Sequence, residues 1–270
     1  MMKKFSIIII SIFMFVIAGC TSSVDNNENS QITNNQQQDT DKNNFDTNDE
    51  DELSSDTKPE HSDLYIENYT VEDILTYFEE IVLRMEYSDG TGDVTSVQKW
   101  LSPIYYQTYG DYTQTDLAKL NELFTQLNSI DGFPGIYPAT DTDYENLSLY
   151  FLDENDFMFQ FSDVINGEYA YGAANFWFYT QTNELHNARI GYRTDIDQET
   201  RNSILLEEVI NVLGISDSVL RTDSIVYQYS NENTSLSDID LLILKLLYHP
   251  NIECGMNYSQ CEQIIKGLYY

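Results

Sequence analysis

Residues 21–62 carry hardly an apolar side chain, and this decides where a fold can form. The stretch is built of Asn, Asp, Gln, Ser and Thr, as in Asn34-Asn35-Gln36-Gln37-Gln38 and Asp49-Glu50-Asp51-Glu52. Such a segment cannot bury enough surface to offset the entropy of ordering it, so a disordered acidic tether is expected over 20–62. Folding is thereby confined to residues 63–270, where apolar and aromatic content rises. A length of roughly 200 residues is ample for one domain with a real core.

Ahead of the tether stand Lys3 and Lys4, an uncharged apolar run from 5 to 18, and then Ile17-Ala18-Gly19-Cys20. That order is a secretory signal ending in a lipobox, so residues 1–19 are expected to be removed and Cys20 lipidated. The apolar run falls short of the roughly 20 residues that a membrane-spanning helix needs. Two acyl chains on Cys20 would anchor stably where one binds marginally. The expectation is a bacterial lipoprotein, its partner the membrane, held on the extracytoplasmic face.

The chain has 13 basic against 45 acidic residues, a net charge of −32. Its basic residues after Lys58 are scattered from Arg84 to Lys266. A phosphate-binding surface gathers Lys and Arg on one face, so nucleic acid is excluded as a partner. Besides Cys20 there are only Cys254 and Cys261. In an oxidising compartment a small-loop disulfide between them is the simplest expectation, two free thiols the alternative. With no nearby His and no second pair, they do not read as a zinc site.

Helical spacing of Ile74, Phe78, Ile81, Val82 and Met85 behind a Thr70/Asp73 capping box predicts a helix over 71–86. Leu117, Leu120, Leu123, Phe124 and Leu127 predict a second over 115–130, and residues 97–109 between them read as extended. After a turn-rich 132–138 come three strand-like runs, 146–152, 169–180 and 186–194, the last two joined as a hairpin by Gln181-Thr182-Asn183-Glu184. Further helices fit 198–213, ending at Gly214, then 237–248 before Pro250, and a short one after Ser259. Partial segregation of helices and strands points to an α+β domain with a mixed sheet.

Most catalytic motifs are absent: there is no H-E-x-x-H, G-x-S-x-G or G-x-x-x-x-G-K-[ST]. Of the three histidines, His61 lies in the tether, while His186 and His249 read as surface or boundary residues. The aromatic run Tyr169, Tyr171, Phe176, Trp177, Phe178 and Tyr179 reads first as a core face with cross-strand pairs, and second as a glycan platform. Asp141, Asp143 and Glu145 start like a calcium loop but lack its glycine and distal glutamate.

The informative stretch is Glu207-Glu208-Val209-Ile210-Asn211-Val212-Leu213-Gly214-Ile215-Ser216-Asp217, followed by Asp223-Ser224-Ile225-Val226-Tyr227 and Leu236-Ser237-Asp238-Ile239-Asp240. Its phasing resembles a metzincin metalloprotease. Anchored on Gly214, the resemblance puts Glu207 and Asn211 where two helical zinc-binding histidines would stand, Glu208 on the catalytic glutamate, Asp217 on the third ligand and Val226 on the turn methionine. Leu246-Leu247-Tyr248 closes the last helix in the same style. More closely, these residues with Leu247-Tyr248-His249-Pro250 and Gly255-Met256 resemble the family called domain of unknown function 2927, over about residues 97–260. Lys99-Trp100-Leu101-Ser102-Pro103-Ile104 and Asn146-Leu147-Ser148-Leu149 share its style, and Cys254 departs from it where proline is usual.

In a helix, residues 207 and 211 share a face, so Glu207 and Asn211 are expected to converge with Asp217 after the Gly214 turn. A carboxylate, amide and carboxylate set does not suit zinc, which leans on imidazole; it suits a hard divalent cation, if any cofactor is held at all. Glu208 would be the general base of a metal-dependent hydrolase, but a base without metal-bound water has little to deprotonate. The sequence thus points to a metzincin-like domain with a degenerate zinc motif and a non-catalytic envelope role. A peptidase based on Glu208, or a surface glycan or adhesion module, are the alternatives.

Overall fold

The computed structural model describes residues 9–10, 64–84, 95–140, 144–165 and 170–270. Cys20, the tether, Met85, Asp141, Asp143 and Tyr169 lie outside the described residues.

Helices begin where the sequence supplies caps. Helix α1 (Val71–Val82) starts behind the expected Thr70/Asp73 capping box, and α2 (Gln114–Asn128) behind Thr113 and Asp116. The same device opens α6 (Asp238–Leu247) with Ser237 and Asp240, and α7 (Tyr258–Tyr269) with Asn257 and Gln260. Each box satisfies two backbone N–H groups that the first helical turn leaves without partners, and losing such a cap costs about 1 kcal/mol.

The extended stretch expected over 97–109 is two strands, β2 (Lys99–Trp100) and β3 (Ile104–Gly110). Pro103, which has no N–H to give a ladder, stands in the gap. The turn-rich segment holds a short strand, β4 (Ile136–Pro138), and β5 spans Leu147–Leu152. Two short helices follow, α3 (Glu154–Gln160) behind the cap Asp153 and α4 (Ser162–Ile165). The expected hairpin is β6 (Gly172–Phe178) and β7 (Glu184–Arg193), turning through Asn183 at φ 58. Helix α5 spans Gln198–Asn211.

The sheet has seven strands in the order β1-β6-β7-β5-β3-β4, with β2 pairing the start of β7; β1 is the two-residue strand Ile9–Ile10, inside the segment read as a cleaved signal. It is mixed, as expected, but mostly parallel: only the β6–β7 pair is antiparallel. The α+β expectation is corrected in this respect. Helix α2 lies between β3 and β4 in the chain, and a connection of that length lets the two strands run parallel.

Alternation divides the sheet into two faces. Ile104, Leu147, Leu149, Phe151, Ala188, Ile190, Tyr192, Ala174 and Phe176 are buried in the main core, which α2, α5 and α6 complete. On the other face, Phe157, Phe161, Val164 and Ile165 of the α3–α4 segment pack with Leu152 and Ala173 into a smaller core. Gly191 makes that approach possible, since a Cβ there would stand 2.4 Å from the Phe161 ring. The helices α2 and α5 are tied by Asp116, which is fully buried and accepts hydrogen bonds from Arg201 Nε at 2.9 Å and Gln198 Nε2 at 2.8 Å.

Candidate functional site

Helix α5 positions three of the four singled-out residues, and the turn after it positions the fourth. Gly214 sits at φ +99, and a Cβ on it would lie 2.0 Å from the Gln98 carbonyl oxygen. Only glycine combines that backbone angle with that approach. The α5 end is further held by Trp100, whose indole donates to the Val212 carbonyl at 2.8 Å, and by Tyr248, whose hydroxyl donates to the Leu213 carbonyl at 3.0 Å. These side chains answer carbonyls that a helix end leaves without intrahelical donors.

The turn brings Asp217 back against the helix. Asn211 Nδ2 donates to Asp217 Oδ1 at 3.1 Å, so two of the positions expected to converge do so. Glu207 stands one turn earlier on the same helix and is buried. Glu208 points elsewhere. A Cβ built on Gly172 of β6 would meet its Oε1 at 2.6 Å, so its carboxylate lies under the start of that strand. The fully buried Tyr192 is its neighbour, and burial first, then the Glu208 charge, holds that phenol well above its ordinary range. All four side chains are enclosed, at 1%, 1%, 0% and 7% exposure for Glu207, Glu208, Asn211 and Asp217.

The segment after Asp217 closes the site from below. Ser218 N donates to Val226 O at 2.7 Å and Gln228 N to Ser218 O at 2.9 Å, pairing this strip with residues 226–228. Asp240 of α6 pins the same turn, accepting from Ser224 Oγ at 2.6 Å and from Ile225 N at 2.9 Å. Burial pushes the Asp240 carboxyl above its ordinary value, against the pull of those hydrogen bonds. Val226 is a buried apolar plug here. Sequence reasoning found Val226 by its phasing, but it missed Trp100, Tyr248 and Asp240 as supports. The one available signal for them was the recurrence of polar-tipped residues in otherwise apolar runs.

The donor set does not fit zinc: no imidazole stands at 207, 211 or 217, and Asn211 turns its amide nitrogen to Asp217. Among the described residues no three His, Cys, Asp or Glu side chains converge as a metal would require. A surface pocket of about 300 Å3 between Tyr65 and α6, lined also by Asp238, Leu241 and Lys245, includes none of the four positions.

The expected disulfide is not formed: Cys254 and Cys261 are free thiols. Cys254 Sγ rests 3.5 Å from the Lys99 carbonyl, while Cys261 is buried on the inner face of α7. Burial pushes both thiols up, that of Cys261 to about 11. Between them lies Lys99, whose Nζ donates to the carbonyls of Leu247 at 3.0 Å and Ile252 at 2.5 Å, closing the end of α6. Intact mass is expected to be unchanged by reductant, and Cys261 to alkylate only after unfolding. A gain of two protons on reduction would establish the pairing that the cysteine spacing suggested.

These features define a mixed α/β domain whose central helix ends in a buried acid–amide cluster. The chain belongs to a protein family of unknown function, DUF2927, whose profile matches residues 71–267. The match is wider at both ends than the stretch that carries the resemblance in the sequence. No curated protein matches the chain.

Proposed function

We propose that this chain is an extracytoplasmic lipoprotein, anchored through Cys20, whose domain is a metzincin-like scaffold turned into a non-catalytic binding module. Support for the scaffold is the succession along the chain of a helix bearing 207 and 211, a glycine turn, an acidic residue returning to 211, and a buried turn at 224–227 pinned to the next helix. The carrying observation for loss of catalysis is the buried hydrogen bond from Asn211 to Asp217. A hydrolase keeps these positions as metal ligands beside an open coordination site for water. Here a carboxylate, an amide and a carboxylate stand at 207, 211 and 217, and the amide nitrogen of Asn211 is bonded to Asp217 Oδ1. Glu208 is enclosed beneath β6, 1% exposed, with its carboxylate against Gly172 rather than facing Asn211 and Asp217.

The test is made on the full-length protein expressed in a bacterial host. Wild type is expected in the membrane fraction with incorporated palmitate, and Cys20→Ser in the soluble fraction without label. With zinc, calcium or manganese added, neither wild type nor Glu208→Gln is expected to cleave unfolded casein above the blank. Turnover that Glu208→Gln abolishes would overturn the non-catalytic reading, and an unlabelled wild type would overturn the anchor.

A further inference from the structure

Among the described residues, helices pack on the outer face of the sheet at one end. Helices α3 and α4 shield the end that bears Leu152, Ala173 and Gly191, where Phe161 packs. Beyond them the pairing registers set a row of polar side chains across four strands: Gln107 opposite Ser148, Ser148 opposite Arg189, and Arg189 opposite Asn175. One step further along the strands lie Tyr105 on β3 and Trp177 on β6. Tyr137 of β4 sits beside Tyr105, ring centroids 6.4 Å apart, and the two are 46% and 37% exposed. On the far side of the polar row Tyr109 stacks on Tyr150 at 5.1 Å and donates to Glu145 at 2.5 Å.

Two polar atoms in the row have no hydrogen-bond partner. Asn175 is 1% exposed, and its Oδ1 accepts nothing. Arg189 lies over the rings of Phe161 and Trp177, at 5.1 and 6.0 Å to their centroids, and gives Nη2 to Asp163 at 2.5 Å while its Nε donates to nothing. Buried polar groups are almost always satisfied, so an acceptor and a donor left open side by side call for a missing partner. That partner must offer hydroxyls to the row and apolar C–H faces to the flanking rings, since aromatic sites bind through their faces and a few placed polar groups. Charge narrows it further. Arg189 is neutralised by Asp163, and a chain of net charge −32 repels polyanions.

We propose that this face binds a neutral glycan strand, its sugar rings on Tyr105, Tyr137 and Trp177 and its hydroxyls answering Asn175 and Arg189. The inference rests on the binding-module reading and gives it a ligand class. It also relocates the glycan platform weighed from the sequence: of the described residues of that aromatic run, Phe176 is buried in the core, while Trp177 falls in register with this face.

The chain has two tryptophans, and the other, Trp100, is buried, so indole fluorescence reports on this face. Full-length protein in detergent, titrated with N-acetylglucosamine tetramer or cellotetraose, is expected to show a saturable change in emission with at least one of them. Tyr105→Ala and Tyr137→Ala, both at exposed positions that folding tolerates, are expected to weaken it at least tenfold. Tyr65→Ala, exposed elsewhere, should leave it unchanged. No saturable change with either sugar, equal losses in all three variants, or equal binding of polygalacturonate would overturn the proposal. The casein assay is independent of this one: absent sugar binding with absent turnover removes the platform and leaves the module, whereas Glu208-dependent turnover removes the non-catalytic reading.

Discussion

Gly214→Ala is expected to destabilise the domain by about 3 kcal/mol or more, near the upper end for a single substitution. The residue stands at φ +99, where a side chain is strained, and the new methyl would lie 2.0 Å from the Gln98 carbonyl oxygen. Backbone cannot rotate out of the way as a flexible side chain would, so the segment at Gln98 or the α5 end must shift. For a domain of this size the loss corresponds to a fall in Tm of about 10 °C. The shift would also pull Val212 from Trp100 and Leu213 from Tyr248, leaving buried carbonyls without donors. Thermal unfolding followed by circular dichroism decides it. A fall of less than about 3 °C would mean that the turn is softer than its geometry implies.

Asp116→Asn is expected to be nearly as costly at neutral pH, about 3 kcal/mol, because it leaves Arg201 buried without its charge partner. The pH dependence gives the sharper test. Burial pushes the Asp116 carboxyl up, but hydrogen bonds from Gln198 and Thr113 and the Arg201 charge outweigh it and hold the group below the ordinary carboxylate range. In the unfolded chain the carboxyl titrates near pH 3.9, so the unfolded state takes up a proton first as pH falls. The stabilisation from Asp116 is therefore whole above about pH 5 and is lost as pH falls through the folded value. Urea midpoints of wild type and Asp116→Asn should differ most at pH 6 to 7 and converge towards pH 3. A gap of constant size across that range would show that the carboxylate charge is not what ties α2 to α5.

The helices were legible because caps and apolar spacing are local signals. Thr70 with Asp73, and Gly214 after a helical run, each announce a boundary within a few residues. The parallel sheet was not, because β3, β4 and β5 are paired through contacts far apart in sequence, and alternation in one strand does not say which neighbour it meets. The helices α3 and α4 escaped because Phe157, Phe161, Val164 and Ile165 follow directly on the β5 run, and seven- and four-residue helices leave little periodicity. In the site, Asn211 and Asp217 were foreseen to meet because a helix face and a glycine turn fix their directions. Glu208 was placed by its neighbours in sequence, but one residue along a helix is about 100° of rotation, enough to send it to the sheet instead.

Tyr248 and Trp100 close the same helix end from opposite parts of the chain, 148 residues apart in sequence. The end of α5 therefore cannot lock until the segment beyond α6 has been made, and the domain is tied shut by its last portion rather than assembled from its first. Such distant closure slows folding, since loops must be shut before the contacts that reward them form. A nascent chain therefore keeps this domain unfinished until α6 and Tyr248 have emerged.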